Sequence, residues 1–175
     1  MFEKLKKMCK EGTFVSLYTS PERPSKFKYG CILAVNEEEL LMLEISPEGN
    51  FDGISLLETS IVYRIEVDTQ YHERMATLTK PFEKPVVEIH DESIKHAFLR
   101  YIAAEKRIAI FSTGDSEDSF NGFVTEVSEN ICTIKQVDYY GKGDGTSYLK
   151  IDEITSIAFD SAESQEVNVL WDKQK

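Results

Sequence analysis

The chain has 175 residues, of which 41% are hydrophobic and 11% aromatic, so it has enough apolar material for one large core or two small ones. Its 20 basic and 31 acidic residues give a net charge of −11, which disfavours contact with phosphate backbones and with anionic membranes. No stretch approaches the roughly 20 apolar residues that span a bilayer, so no membrane-spanning helix is predicted.

The cysteines predict a reducing environment. Cys9, Cys31 and Cys132 are odd in number and scattered along the chain, which favours neither a disulfide framework nor a zinc site. The first ten residues carry four lysines, but no long apolar run follows them, so we do not expect export. These features predict a cytoplasmic protein with no metal and no cofactor.

The first half of the chain predicts a helix, five strands and a second helix. Apolar residues recur at helical spacing from Phe2 to Cys9, and hydrophobicity then alternates with a period of two. Proline, glycine and asparagine separate the alternating stretches, as is typical of turns between strands. The predicted strands are residues 13–19, 28–36, 39–45, 53–58 and 60–67, and the second helix is predicted around residues 71–78.

The second half predicts a similar series of elements after a linker. Pro81 and Pro85 mark residues 80–90 as the linker between a first domain at 1–79 and a second domain at 91–175. Apolar spacing predicts that the second domain begins with a helix, capped by Asp91 or Ser93. Strands equivalent to those of the first domain are predicted between residues 107 and 159, and the domain is expected to end in a C-terminal strand.

An internal duplication is predicted to relate the two halves. Asp-Gly-Ile-Ser-Leu-Leu at 52–57 returns as Asp-Gly-Thr-Ser-Tyr-Leu at 144–149, an offset of 92 residues, and Gly30 matches Gly122 at the same offset. We therefore predict two copies of one small five-stranded barrel, each led by a helix. Two other matches require a change in this offset. Residues 40–43 match 131–134 after one residue is dropped, and residues 15–18 match 108–111 after a shift of one more residue.

A helix followed by five short, bent strands, with glycine in the second strand and an apolar last pair, resembles the Sm-like barrel of the RNA-binding Sm and bacterial host-factor proteins. The resemblance implies a mainly β fold with flanking helices, consisting of two tandem Sm-like (SH3-like) barrels. Residues 29–35, 51–53 and 63–67 also look like a string found in a group of small uncharacterised bacterial proteins. The residues that carry the Sm-like resemblance are Gly30, Val35, 40–43 and 60–67, with 122–134 and 152–159 in the second copy.

The sequence departs from the RNA-binding pattern of that family. Sm-like RNA binders hold a base with an Asp and Asn in one loop and an Arg-Gly or similar pair in another, and no Arg-Gly occurs here. Three adjacent carboxylates, Glu37 to Glu39, stand where phosphate would pass, and they repel it. A protein partner is therefore favoured over RNA, with an RNA-binding protein and an acidic immunity-type inhibitor of a basic toxin or nuclease as alternatives.

Edge strands left by each barrel are expected to be covered within the chain, as subunit contacts cover them in Sm-like rings. A monomer or small homo-oligomer is accordingly expected rather than a hexameric ring.

No compact catalytic motif is present, so no enzymatic activity is predicted. His90 and His96 are six residues apart, which places their side chains on different faces of a helix. The glycine-rich stretch at 141–145 is followed by a predicted strand rather than by a helix N-terminus, so it is interpreted as a hairpin turn and not as a phosphate loop.

The predicted contact surface lies in the second copy. Tyr139 and Tyr140 stand in a loop beside Gly141, and exposed aromatic side chains anchor interfaces through burial, whereas neighbouring charges steer the partner. The alternative, in which both tyrosines pack back onto the barrel, stays open at this point. The predicted partner-binding residues are Phe120, Tyr139, Tyr140, Asp115, Glu117 and Asp118.

Overall fold

The computed structural model describes residues 1–90, 93–114 and 118–175. The chain divides into two compact units, Met1–Pro85 and Val86–Lys175, and the division falls inside the segment 80–90. Each unit contains a leading helix, five strands and a trailing helix in the same order. The structure is mainly β, with ten antiparallel strands and flanking helices.

The five strands of the first unit lie in the order β5-β1-β2-β3-β4. A 3-10 turn at Thr59–Ile61 occupies the start of the predicted fifth strand, and it reduces that strand to three residues. The elements are α1 (Phe2–Glu11), β1 (Phe14–Tyr18), β2 (Lys28–Val35), β3 (Glu39–Ile45), β4 (Phe51–Glu58), β5 (Arg64–Glu66) and α2 (Gln70–Leu78).

The second unit has the strand order β10-β6-β7-β8-β9. Ser93 caps its first helix by accepting a hydrogen bond from the His96 backbone N–H at 3.1 Å. The elements are α3 (Ile94–Glu105), β6 (Ala109–Thr113), β7 (Ser119–Val127), β8 (Ile131–Val137), β9 (Gly143–Lys150), a 3-10 turn (Ile151–Glu153), β10 (Ile154–Phe159) and α4 (Ala162–Asp172). The prediction that this unit ends in a strand is wrong, because α4 follows β10.

The two predicted five-stranded barrels are not confirmed, because the sheet is not closed over the described residues. In the described part of the first unit β5 pairs only with β1, and β4 is the strand at the other end of that order. A closed barrel needs a hydrogen-bonded pair between the first and last strands of its order. The 3-10 turn before β5 and the left-handed Asp68 (φ 54°) soon after it leave only a short extended segment.

The first unit buries both faces of its sheet. On one face α1 contributes Leu5 to a cluster with residues of β1, β2 and β3. On the other face Met75 of α2 packs against Tyr29, Cys31 and Leu43. Burial of apolar side chains on both faces explains why Leu40 to Leu43 form a continuous apolar run rather than an alternating one.

The register of the strands corrects two of the predicted matches between the halves. Leu40 pairs with Val35 and Cys132 pairs with Val127, so the offset stays at 92 with no residue dropped. Val15 pairs with Gly30 and Ala109 pairs with Gly122, so β1 and β6 differ by 94 residues rather than 93. A strand that is buried on both faces gives hydrophobic matches in either register, although a one-residue slip exchanges its faces.

Gly30 and Gly122 are required by a close approach of neighbouring backbones. A Cβ atom on Gly30 would lie 1.8 Å from the carbonyl oxygen of Leu43, and one on Gly122 would lie 2.6 Å from that of Lys135. Both glycines precede a shift in strand register, which follows Ile32 in β2 and Val124 in β7. Each glycine therefore permits the tight strand contact beside a β-bulge.

Part of the predicted linker packs onto the first unit. The backbone N–H of Lys80 donates to the carbonyl of Gly49 at 2.8 Å, and the Phe82 ring stacks on Phe51 with centroids 5.6 Å apart. Residues 80–82 of the predicted linker therefore pack with the first unit, because Phe82 joins the apolar cluster beneath α2.

Candidate functional site

The loop between β8 and β9 is held in one conformation by Asp138. Its carboxylate accepts hydrogen bonds from the backbone N–H groups of Tyr140 at 2.9 Å and Lys142 at 2.7 Å. Gly141 has a φ of 77°, and a Cβ atom there would lie 2.7 Å from the backbone of Leu170 in α4. The Gln174 side chain donates to the carbonyl of Tyr140 at 3.0 Å. These contacts fix the loop against the end of α4.

Tyr139 and Tyr140 project from this loop into solvent. Their exposed fractions are 64% and 73%, so neither ring packs back onto the sheet. The two rings meet edge to face with centroids 6.3 Å apart. A rigid loop that presents two large amphipathic rings offers contact area to a partner at a small cost in conformational entropy.

The structure does not join Phe120 to these tyrosines. Phe120 is half-buried on β7 and stacks on Phe111, which is fully buried, with centroids 5.6 Å apart. Among the described aromatic contacts, none links Phe120 with Tyr139 or Tyr140. Phe120 therefore belongs to the packing of the sheet, since its cross-strand partner in the register is Phe111.

The structure describes only one of the three acidic residues of the predicted surface. Asp118 is exposed immediately before β7 and already has an interaction partner in the chain. Asp115 and Glu117 lie outside the described residues.

A long edge strand, β9, extends the candidate site beyond the tyrosine loop. It has eight residues and is the last strand in its order, so among the described residues its outer side carries no further strand. Tyr148, near its end, is 75% exposed and pairs with Thr133 on β8. At about 3.3 Å per residue, Tyr148 lies about 17 Å along the strand from Gly143, where the tyrosine loop ends.

Aromatic residues at alternating positions of predicted strands, Tyr148 among them, are expected to lie mostly in the core, but Tyr148 is exposed. Its exposure follows from the position of β9, since an edge strand is covered less than a central one. One signal was present: residues 143–147 read Gly-Asp-Gly-Thr-Ser, with no apolar residue at any alternate position. Such a stretch lacks the side chains that would bury either face of the strand.

In the first unit, the edge strand β5 offers less backbone than β9 does in the second. It has three residues, and the carboxylate of Glu66 accepts from Tyr18 Oη at 2.7 Å and pairs with Arg64. Tyr18 and Arg64 hold the pKa of Glu66 below its ordinary value, with the hydrogen bond from Tyr18 as the larger cause. A short strand with its charged side chains engaged is a poor template for a further strand.

Burial and hydrogen bonds engage the described cysteine and histidine side chains outside the groove beside α2. Burial raises the pKa of the Cys132 thiol to about 11, and it also raises the pKa values of Cys9 and Cys31, so all three favour the unreactive thiol form. His96 Nδ1 lies 2.6 Å from Ser93 Oγ and its Nε2 lies 2.8 Å from the Glu129 carbonyl oxygen, whereas His90 pairs with Glu88.

Two further findings concern metals and membranes. Across residues 1–90, 93–114 and 118–175, no group of three or more His, Cys, Asp or Glu side chains is placed to hold a metal ion. Within the same residues, every helix is too short or too polar to cross a bilayer.

Comparisons with protein-family models, with curated proteins and with solved structures found no match to this chain. The candidate functional site is the tyrosine surface, which we define as Tyr139, Tyr140, Tyr148 and the outer edge of β9.

Proposed function

We propose that the protein is a non-catalytic module that binds a protein partner, and that the partner adds an extended segment to the outer edge of β9. The observation that carries this proposal is an eight-residue edge strand that contains one exposed tyrosine and follows a loop with two more, each at least 64% exposed. An added strand gains main-chain hydrogen bonds along the edge, and aromatic side chains beside it supply specificity.

The spacing of the tyrosine surface sets the length of the partner segment. Tyr148 and the loop that carries Tyr139 and Tyr140 lie at the two ends of β9, about 17 Å apart along the strand. An extended segment of about six residues spans that distance. Its side chains on one face would contact Tyr148, which shares a face with Thr146 and lies across from Thr133.

Charge favours a basic partner. The second unit carries 9 basic and 17 acidic residues, a net charge of −8, whereas the first unit carries 11 and 14, a net charge of −3. Complementary charge accelerates association and disfavours acidic competitors. An inhibitor of a basic toxin or nuclease is one protein of this description, and it is a special case of the proposal.

We further propose that each unit is an Sm-like module and that the two arose by duplication. Equivalent hydrogen bonds support this proposal: Thr59 N–H donates to the Glu38 carbonyl, and Ile151 N–H donates to the Asn130 carbonyl, each at 2.9 Å. These pairs are separated by the same 92 residues. The leading helices and the glycines in the second strands are consistent with the same origin.

The RNA-binding alternative is weaker than the protein-binding one. Asn36, in the loop where a base would be held, accepts hydrogen bonds with its side-chain oxygen from the backbone N–H groups of Glu38 and Glu39 at 2.9 and 2.6 Å. Its amide oxygen is thus engaged in the turn. The exposed carboxylates of Glu37 and Glu38 beside it repel phosphate.

A photo-crosslinking experiment tests the proposal. A photoreactive phenylalanine analogue replaces Tyr148 in one variant and Val86 in a matched control, since both side chains are about three-quarters exposed. In cells of the native host, the variant at position 148 should crosslink to a defined protein, and the crosslinked band should disappear with protease but not with nuclease. The control should yield no such band.

Loss of the tyrosine surface should then abolish capture of that protein. The double variant Tyr139→Ala/Tyr140→Ala should no longer capture the partner protein. Its melting temperature should stay nearly unchanged, because both rings are exposed. A nuclease-sensitive adduct at position 148, or capture that survives removal of all three tyrosines, would contradict the proposal.

A further inference from the structure

A groove in the first unit lies beside α2, away from the tyrosine surface. Its volume is about 600 Å³, which is within the range of about 300–1,000 Å³ typical of small-ligand sites. The rings of Phe14 and Tyr29 line it, with centroids 5.6 Å apart. These two aromatic residues give the groove an apolar wall.

Two carboxylates line the same groove. Asp68 follows β5 and has a φ of 54°, and Glu73 lies in the first turn of α2. Within the described part of the chain, no lysine or arginine side chain forms an ion pair with either of them. The groove thus presents negative charge beside aromatic rings, which is the arrangement that attracts an organic cation.

His72 adds an unpartnered polar atom to the lining. Its side chain is about nine-tenths buried, and its Nδ1 accepts from the Thr69 backbone N–H in the cap of α2. Nδ1 also lies 2.7 Å from the Thr69 hydroxyl oxygen, and the other ring nitrogen, Nε2, is buried without a hydrogen-bond partner in the described structure. A buried polar atom without a partner is uncommon.

The second unit contains the corresponding groove with its cation supplied by the chain. Asp160 is equivalent to Asp68 and has nearly the same backbone conformation, with a φ of 59°. The guanidinium of Arg107 forms an ion pair with Asp160 and also lies over the Phe159 ring, 5.7 Å from its centroid. The register of β1 and β6 places Thr13 at the position of Arg107.

Larger side chains reduce the groove of the second unit. Its volume is about 340 Å³, and its lining includes Arg107, Asn168 and Trp171. The equivalent residues in the first unit are the small Thr13, Ala76 and Thr79. The first unit thus keeps the carboxylate but lacks the guanidinium and the side chains that fill the space, and its aromatic wall of Phe14 and Tyr29 stands where the second unit has Ile108 and Asn121.

We propose that the groove beside Asp68 binds a guanidinium group, or a similarly planar organic cation, that is carried by a ligand. Asp68 pairs with the cation as Asp160 pairs with Arg107, and the faces of Phe14 and Tyr29 contact its plane. The site lies in the other unit from the tyrosine surface and does not depend on the proposed function.

Titration of defined probes into the full chain tests this site. Phenylguanidine and N-acetyl-L-arginine methylamide should each shift the backbone NMR signals of residues 68–76 in a saturable manner, with a Kd of about 1 mM or tighter. Phenylurea, which has a similar shape without the charge, should not. Asp68→Asn should weaken binding by about tenfold or more, because it removes a charge-assisted hydrogen bond.

Variants that fill the groove with a larger side chain keep the test independent of folding defects. Thr13→Arg and Ala76→Asn each import the residue of the second unit, and each should abolish probe binding while the thermal transition remains cooperative. Asp160→Asn and Tyr148→Ala should bind the probes like the wild type, which separates this site from the second unit and from the tyrosine surface.

The two probes also distinguish the source of the cation. Binding of the arginine derivative at least tenfold tighter than phenylguanidine would assign the groove to an arginine side chain of a protein, and equal binding would assign it to a small molecule. Unsaturated shifts for both probes, or unchanged binding by Asp68→Asn, would overturn the proposal.

Discussion

His72 makes the start of α2 sensitive to pH. Burial is the main cause that lowers the pKa of its imidazole, and the nearby Asp68 and Glu66 carboxylates oppose this shift only in part. A proton on Nδ1 would also remove the acceptor for the Thr69 backbone N–H. In the pH range between the folded pKa and about 6.5, the unfolded chain therefore binds more protons than the folded one, and the free energy of unfolding falls as pH falls.

The variant His72→Gln should remove this dependence. Glutamine at the third helical position can still accept from the N-cap backbone, but it does not titrate. Between pH 7.5 and pH 5, the wild type should lose more of its free energy of unfolding than His72→Gln, as measured by urea denaturation at each pH. Parallel losses in the two proteins would show that His72 is not responsible.

Gly30 is expected to be the least replaceable glycine of the first sheet. The methyl group of Gly30→Ala would overlap the carbonyl oxygen of Leu43, so two backbones would have to separate. We expect the free energy of unfolding to fall by about 3 kcal/mol, at the upper end for overpacking. Gly143→Ala is the matched control, because its Cβ would meet only a Trp171 ring atom at 4.0 Å. Equal stability of the two variants in chemical denaturation would contradict this explanation.

At the scale of elements, α4 is attached to the sheet of the second unit by apolar packing and by the hydrogen bonds of one side chain. Val167 and Trp171 pack with Ile108, Phe123 and Val137 on one face of the sheet. Asn168 in the same helix accepts from the Ile108 backbone N–H at 3.0 Å and donates to the Ser164 carbonyl at 2.8 Å. The amide thus satisfies a buried backbone donor just before β6 begins.

Asn168→Ala should leave the N–H of Ile108 without its partner. The expected loss is about 1–3 kcal/mol of unfolding free energy, which is the cost of an unsatisfied buried donor. Thermal and urea denaturation of this variant should be compared with those of Glu163→Ala, an exposed position on the same helix. A change of less than about 0.5 kcal/mol would show that solvent satisfies the N–H group.

At the scale of the whole molecule, the charge of −11 governs which polymers the protein can approach. Nucleic-acid binding depends mainly on basic side chains that release counterions from phosphate. Both units carry a net negative charge, so neither supplies a basic surface by composition alone. The alternative of RNA binding therefore requires a local arrangement that overcomes repulsion from the rest of the chain.

A direct test uses a fluorescent oligo-U and a mixed-sequence RNA at about 150 mM salt. We expect no saturable change in anisotropy at micromolar protein concentrations. Lowering the salt concentration should not raise the affinity for RNA in the way that is typical of phosphate contacts. Saturable binding with a steep salt dependence would place RNA ahead of a protein partner.

The sequence alone determined the features that depend on local patterns. The predicted strand at 39–45 coincides with β3, helical spacing predicted α1 and α3, and composition fixed the acidic character of the second half. The loop position of Tyr139 and Tyr140 was also predictable, because a turn sequence separates two strands there. These features follow from the chemistry of neighbouring residues, which a sequence displays directly.

The tertiary structure decided the features that depend on which elements meet. Only the observed strand pairs define the registers of β1 and β3, because strands buried on both faces match in more than one register. The exposure of Tyr148 follows from the position of β9 at an edge. The difference between the two grooves follows from the alignment of Thr13 with Arg107. Each depends on residues distant in the chain, whose proximity is set by packing rather than by local propensity.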